Sequence, residues 1–396
     1  MKTMTEDNWF VGEDWAARPA PYRNSGNTHR DILQAWIFAA GIVAACGTVL
    51  FGAGAILIVG IAMASAVAAD LGVGFVTRRP VAGGLLHAAL TGLLLALTLP
   101  ATVSWYVPMI GSLIAVVFAK GLFGGMGHYI WQPALVGRVF VQFLLPQQLS
   151  LFASLTQSPV LAPGHLLIGD LGQARPVGLG VYRGWSAYRE PAASDAWLME
   201  RPVQMLRRFA EGDVPTDGKL VYEPLLRDWL PPWRDSVLGL VPGGMGETCT
   251  VALIVAGLYL IYRGYLRWQL PVAVLAGAAL AAAVLPVETA VEGRGYDWFP
   301  VFAAEKGRAV GLAYVLYHLT SGQLMLGAFL LAGDMIASPM RARGQAAFGF
   351  VIGVMTVFMR LYGAIEGECY WSILVMNSFV GMIDRYTRRP VLGLAT

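Results

Sequence analysis

Charged side chains are the scarcest part of this sequence. Asp, Glu, Lys and Arg make up 13% of its 396 residues, against roughly 25% in soluble domains. That scarcity, with 56% hydrophobic residues, excludes an ordinary soluble fold and points to an integral membrane protein. A formal net charge of +3, spread over many loops, argues against nucleic-acid binding. Cysteine is nearly absent as well. Cys46, Cys249 and Cys369 stand far apart and supply neither a disulfide framework nor a zinc or iron–sulfur ligand set. No nucleophile–histidine–acid constellation and no nucleotide-phosphate loop is present. The first thirty residues, with Glu6, Asp7, Glu13 and Asp14, lack a signal-peptide pattern.

What is present is a series of apolar runs. They fall at about 32–51, 53–76, 82–99, 107–119, 134–147, 248–262, 269–286, 310–333, 346–362 and 370–383. The expected fold is therefore an all-α polytopic membrane protein with about ten transmembrane helices, several short or interrupted. Arg78, Arg79, Lys120, Arg263, Arg267, Arg341, Arg343, Arg385, Arg388 and Arg389 fall on one side of that scheme. The positive-inside rule then places both termini in the cytoplasm. The chain divides into a tail (1–30), a first five-helix unit (31–148), an outer segment (149–242), a second five-helix unit (243–384) and a short tail (385–396). Two five-helix units in series have inverted topology, and such repeats place central sites at their interface. TGLLLAL from Thr91 echoes SGQLMLGAF from Ser321, and PALVG from Pro133 echoes NSFVG from Asn377. In the outer segment, Leu198, Leu206 and Phe209 form one side of an expected interfacial helix, with Pro202 in its first turn.

The stretch KGLFGGMGHYIWQPALVGRVF, from Lys120 to Phe140, is unlike its apolar surroundings. Gly124, Gly125 and Gly127 with Pro133 read either as a tight turn or as broken backbone lining a cavity. His128 has the chemistry to donate to a cofactor carbonyl or to relay a proton; the alternative is a bond to a loop carbonyl. Trp131 suits either stacking on an aromatic cofactor or a membrane interface. Arg138 needs a partner inside an apolar run, either a cofactor or a carboxylate such as Asp334 or Asp384. Asp70 and Asp334 are expected near membrane interfaces. Gly243 to Thr248 opens the sixth run; there Gly246, Glu247 and Thr248 mark either a helix N-terminus with free N–H groups for an anion or a cofactor carbonyl, or an ordinary helix start with Glu247 on the dipole.

Several blocks in order resemble a known family. TGLLLALTLPATVSWYVPMIGSLIAVVFAKGLFGGMGHYIWQPALVGR from Thr91, GLVPGGMGETCTVALIVAGLYLI from Gly239, HLTSGQLMLGAFLLAGDMIASP from His318 and RLYGAIEGECYWSILVMNSFVGMIDRYTRRP from Arg360 are similar to RnfD, a membrane component of the Rnf electron-transport complex. RnfD is itself similar to NqrB, a membrane component of the sodium-pumping NADH:quinone oxidoreductase. The resemblance implies ten helices in two inverted five-helix repeats, akin to urea channels, in a bacterial inner membrane. It also implies other membrane and redox subunits as partners, flavin (FMN or riboflavin), and electron transfer coupled to Na⁺ or H⁺ movement. Two departures stand out. The family's FMN-accepting threonine motif has as its nearest counterpart Ser194-Asp195-Ala196-Trp197, and an indole cannot form the phosphoester, so covalent FMN is expected to be absent and any flavin non-covalent. The family's Gly-His-Asn-Pro-Phe-Asn-Pro-Ala is here Gly127-His128-Tyr129-Ile130-Trp131-Gln132-Pro133-Ala134, so the pocket lining has changed. A non-redox scaffold or small-solute channel on the same fold is the alternative.

Overall fold

The computed structural model describes residues 28–78, 84–125, 127–150, 202–210, 230, 233–239, 241, 243–288, 296–303, 308–363 and 366–387. These residues form a helical body. α1 (His29–Phe51) and α2 (Ala53–Thr77) are joined by Gly52 at φ +81°. α1 starts ahead of its apolar run because Thr28 and Asp31 form a capping box: Thr28 N donates to Asp31 Oδ2 at 2.7 Å, and Asp31 N donates to Thr28 Oγ1 at 3.4 Å.

α3 (Gly84–Leu97) and α4 (Tyr106–Ile114) follow, and α4 widens into a π-helix over Ala115–Gly121. α5 (Pro133–Leu144) starts with proline at its first position and with Gln132 Oε1 accepting from Leu135 N at 3.0 Å. It stops short of the expected 147 because Pro146 cannot continue it and opens the short α6 (Pro146–Ser150) instead.

The C-terminal helices are α9 (Thr250–Tyr262), α10 (Gln269–Val284), α12 (Arg308–Thr320), α13 (Leu324–Leu326) running into a π-helix over Gly327–Leu331, α14 (Ala342–Tyr362), α15 (Glu368–Ser378) and α16 (Val380–Thr387). Between the two groups lie α7 (Pro202–Ala210) and α8 (Trp233–Leu238), and α11 (Pro300–Ala303) precedes α12. The all-α expectation has one small exception. β1 (Val287–Glu288) pairs antiparallel with β2 (Tyr296–Asp297), Val287 opposite Asp297.

α1, α2 (from Gly54) and α14 are long and apolar enough to cross a membrane. A fourth crossing is made if Val310–Thr320 and Leu324–Leu331, bent by 61°, act as one span. The other apolar helices are shorter, 12 to 16 residues. Phe38, Leu57, Leu258, Leu280 and Phe358 project outward from the body, the apolar exterior of a polytopic membrane protein.

Close packing here depends on small residues, as it does between helices in lipid. α10 and α14 are the most intimate pair. A Cβ on Gly349 would meet Leu270 O at 2.7 Å, and one on Gly277 or Gly353 would strike the backbone oxygen of Phe350 or Val274.

α7 corrects one expectation. Pro202 does stand in its first turn, but Leu206 and Phe209 are buried rather than set on a membrane surface. The Phe209 ring lies 6.2 Å from that of Tyr314, so the helix spends its apolar side on the protein's own core. Leu198 lies outside the described residues, as do Ser194 to Trp197.

Gly349→Leu is expected to lower the thermal midpoint in detergent, since forcing methylenes into a closed contact costs about 1–3 kcal/mol. An unchanged midpoint would mean that α10 and α14 do not approach this closely.

Candidate functional site

The expected site residues separate into two groups along α5. Gly124, Gly125, Gly127, His128 and Trp131 lie ahead of its first residue. Gly124, Gly125 and Gly127 all have positive φ, at 109°, 101° and 97°, which glycine alone adopts readily. Gly125 N donates to Lys120 O at 2.9 Å, and His128 N to Gly125 O at 3.4 Å. The stretch is thus a tight turn that delivers the chain to a cavity.

That cavity holds about 240 Å³ and is lined by residues of α1 (His29, Leu33, Trp36), α3 (His87, Leu90, Leu94), the turn (Gly127, Tyr129, Gln132), Leu330 of the π-helix after α13, and Asp334, Met335 and Ile336 beyond it. His128 is exposed and Trp131 does not line it. Trp131 Nε1 donates to Ser378 Oγ at 2.9 Å, and its ring meets Phe123 edge-on. The side chain that enters is Tyr129, 3% exposed. Its hydroxyl lies 3.0 Å from His87 Nε2 and donates to Asp334 Oδ1 at 3.1 Å. Asp334 Oδ2 accepts from Ala337 N at 3.3 Å.

Asp334, half-buried, lines the cavity. Asp70 is buried, its carboxylate 2.7 Å from Lys120 Nζ. The physical reason is the same for both: a carboxylate in an apolar body persists where a donor meets it.

Arg138, Gly246, Glu247 and Thr248 assemble further along α5. Arg138 is 2% exposed. Its Nε donates to Thr98 O at 3.2 Å and its Nη1 to Gln142 Oε1 at 3.1 Å, with the guanidinium 5.7 Å from the Tyr370 ring. Asp334 and Asp384, its expected partners, are met by Tyr129 and by Met340 N. Gln142 Nε2 donates to Glu366 O at 2.6 Å, and Gln204 of α7 to Glu366 Oε1 at 3.0 Å. Tyr370 donates to Glu247 Oε1 at 2.5 Å.

The N–H groups at the start of α9 do not face an open site. Met245 N and Gly246 N donate to Leu99 O and Leu97 O at 3.0 and 2.8 Å, and Glu247 N to Gly244 O at 3.0 Å. A Cβ on Gly246 would lie 2.7 Å from Leu97 Cβ, so this glycine serves a close approach to the end of α3.

Sequence reading passed over Tyr370, Gln142 and Arg360. Arg360 is fully buried, donating to His318 O at 2.7 Å and Ser321 O at 3.2 Å. It satisfies carbonyls freed at the bend between α12 and α13. Only a polar residue inside an apolar run marked these positions, and that signal does not name partners.

A flavin tests this arrangement by volume and by donors. Small-molecule sites hold roughly 300–1,000 Å³; this cavity, at about 240 Å³, is smaller, and the N–H groups of Gly246 and Glu247 are already engaged. The described residues as arranged do not enclose a flavin.

The sequence matches the profile of the NQR2, RnfD, RnfE family over residues 16–393. The chain belongs to that family. Among its relatives, the D component of the Na⁺-translocating ferredoxin:NAD⁺ oxidoreductase complex of Acetobacterium woodii is 28% identical over 95% of this chain and 94% of its own length. The D component of the proton-translocating ferredoxin:NAD⁺ oxidoreductase complex of Clostridium ljungdahlii is 29% identical over 88% and 86%. Its counterpart in the ion-translocating oxidoreductase complex of Halorhodospira halophila is 27% identical over 91% of each.

Tyr370→Phe is expected to destabilise the family member by about 1–3 kcal/mol, the cost of leaving a buried polar group without its partner. Thermal unfolding in detergent measures it. No loss would show that Glu247 is satisfied without Tyr370.

Proposed function

We propose that this chain is a membrane subunit of an Rnf-like or Nqr-like electron-transport complex, in which electron transfer between partner subunits is coupled to movement of H⁺ or Na⁺. In this reading residues 31–148 and 243–384 are the two inverted five-helix repeats of a ten-helix, urea-channel-like body in a bacterial inner membrane, with both termini in the cytoplasm. Redox subunits supply and accept the electrons. Flavin (FMN or riboflavin), if the complex places one on this chain, is non-covalent, because Trp197 stands where the acceptor hydroxyl belongs; the exposed turn at Gly127 and His128 is then the surface it would approach. The chemistry it brings is one- and two-electron transfer.

The observation that carries the reading is the placement of ionisable groups. His87, Arg138 and Glu247 are buried, and Asp334 is half-buried, where helices before residue 150 meet helices after 243. Ionisable residues facing the interior of a membrane protein mark ion and proton routes. A small-solute channel, the alternative, needs an open polar path. Among the described residues, the Arg138–Tyr370–Glu247 contacts occupy one part of that interface, and the cavity in the other part has mainly apolar walls.

Membrane vesicles from cells lacking this chain are expected to lose ferredoxin:NAD⁺-linked ion movement and to regain it with the chain restored. Unchanged ion movement would overturn the assignment, and labelled-solute flux into proteoliposomes would support the channel in its place. The denatured chain is expected to show the mass of its sequence alone; an added FMN mass would contradict the non-covalent reading.

A further inference from the structure

His87, Tyr129 and Asp334 form a continuous hydrogen-bonded chain across the cavity, and its directions can be assigned. The Tyr129 hydroxyl has one proton, which it donates to Asp334 Oδ1. The 3.0 Å contact with His87 Nε2 is then an Nε2–H donating to the Tyr129 oxygen. That leaves His87 Nδ1 as the bare nitrogen. It is buried, without a partner, on a ring that lines the cavity. A buried acceptor left unmet is costly, and here it stands at one end of a proton wire whose other end is a carboxylate.

We propose that this cavity is a proton-binding site in which His87 Nδ1 takes up a proton and Asp334 stores it, with the Tyr129 hydroxyl as the link. A proton adds to Nδ1, the Nε2 proton passes to the Tyr129 oxygen, and the Tyr129 proton passes to Asp334. The end state is a neutral imidazole protonated at Nδ1, an intact tyrosine and a carboxylic acid, one proton richer than the start.

A proton suits the site better than a metal cation. Both Asp334 oxygens already accept, from Tyr129 and from Ala337 N, and Gln132 Oε1 is occupied by Leu135 N. The remaining walls are largely apolar side chains, so the roughly six to eight oxygen ligands that a hard cation such as Ca²⁺ takes are not assembled here. The other charges facing His87 are Lys120 of the α4 π-helix and His29 of α1; Lys120 is held by Asp70 of α2. Tyr129 thus gives a role to one of the changed positions in the turn. The use of the stored proton rests on the subunit reading above; the existence of the site does not.

Infrared difference spectroscopy of the full chain in lipid nanodiscs, taken across a pH series, tests it. A carboxylic C=O band that falls as pH rises is expected, absent in Asp334→Asn. In Tyr129→Phe its midpoint should move upward by about one pH unit or more, because a hydrogen bond to the carboxylate has been removed. A band that persists in Asp334→Asn, or a midpoint unmoved in Tyr129→Phe, would overturn the proposal. So would displacement of the band by Na⁺ at fixed pH. If Asp334→Asn does not fold, ¹³C-labelled aspartate in the unaltered chain identifies the band, and Tyr129→Phe still decides. The titration requires no electron transfer, so its failure leaves the subunit reading standing, whereas unchanged ion movement in the vesicle experiment removes that reading alone.

Discussion

Polar groups inside an apolar body must find partners, and in this protein several of them find them across one seam. The turn before α5 and α5 itself carry it. Tyr129 reaches Asp334, Trp131 reaches Ser378, Arg138 lies against Tyr370 and Gln142 binds Glu366 O. Each contact joins a residue before position 150 to one after 330. Water is not available in a bilayer core to satisfy such groups, so each polar side chain on this stretch fixes where the C-terminal helices can sit. Glycines make the approach possible: those at 124, 125 and 127 turn the chain, and Gly246 lets the start of α9 lie on the end of α3.

This arrangement separates two tasks. Around Arg138, Thr98, Tyr370 and Glu247 the donors and acceptors are matched to one another, and the result is rigid packing. Around His87, Tyr129 and Asp334 the chain of hydrogen bonds borders a cavity and ends on an unmatched nitrogen. Two carboxylates of one apolar body, Glu247 and Asp334, thus have different surroundings. The first is enclosed by tyrosine and backbone; the second is open to the cavity that its tyrosine enters.

Much of the helical body was legible because apolar runs and helix punctuation are local. Pro133 stands at the first position of α5, one residue ahead of the expected run, and the Thr28–Asp31 capping box shows how α1 begins. Run length did not report the bend at Ser321–Gln323, where Arg360 donates to the freed carbonyls of His318 and Ser321, nor the break at Phe379; the early end of α5 is local, set by Pro146. The site was legible only in part. Composition singled out Lys120–Phe140, but not which alternate side chain points inward: His128 is exposed and Tyr129 is buried. A one-residue difference in direction is set by the positive-φ glycines, and no periodicity reports it. Glu247 and Arg138 were found as polar residues in apolar surroundings; that Tyr370 stands between them follows from the tertiary fold alone.

The seam is an energetic unit rather than a set of coincident contacts. A double-mutant cycle on Tyr129→Phe and Asp334→Asn, read by denaturation in detergent, tests this most directly. A coupling of about 0.5–3 kcal/mol is expected for two residues sharing one buried hydrogen bond. Single effects that add to within about 0.3–0.5 kcal/mol, as independent sites do, would contradict it.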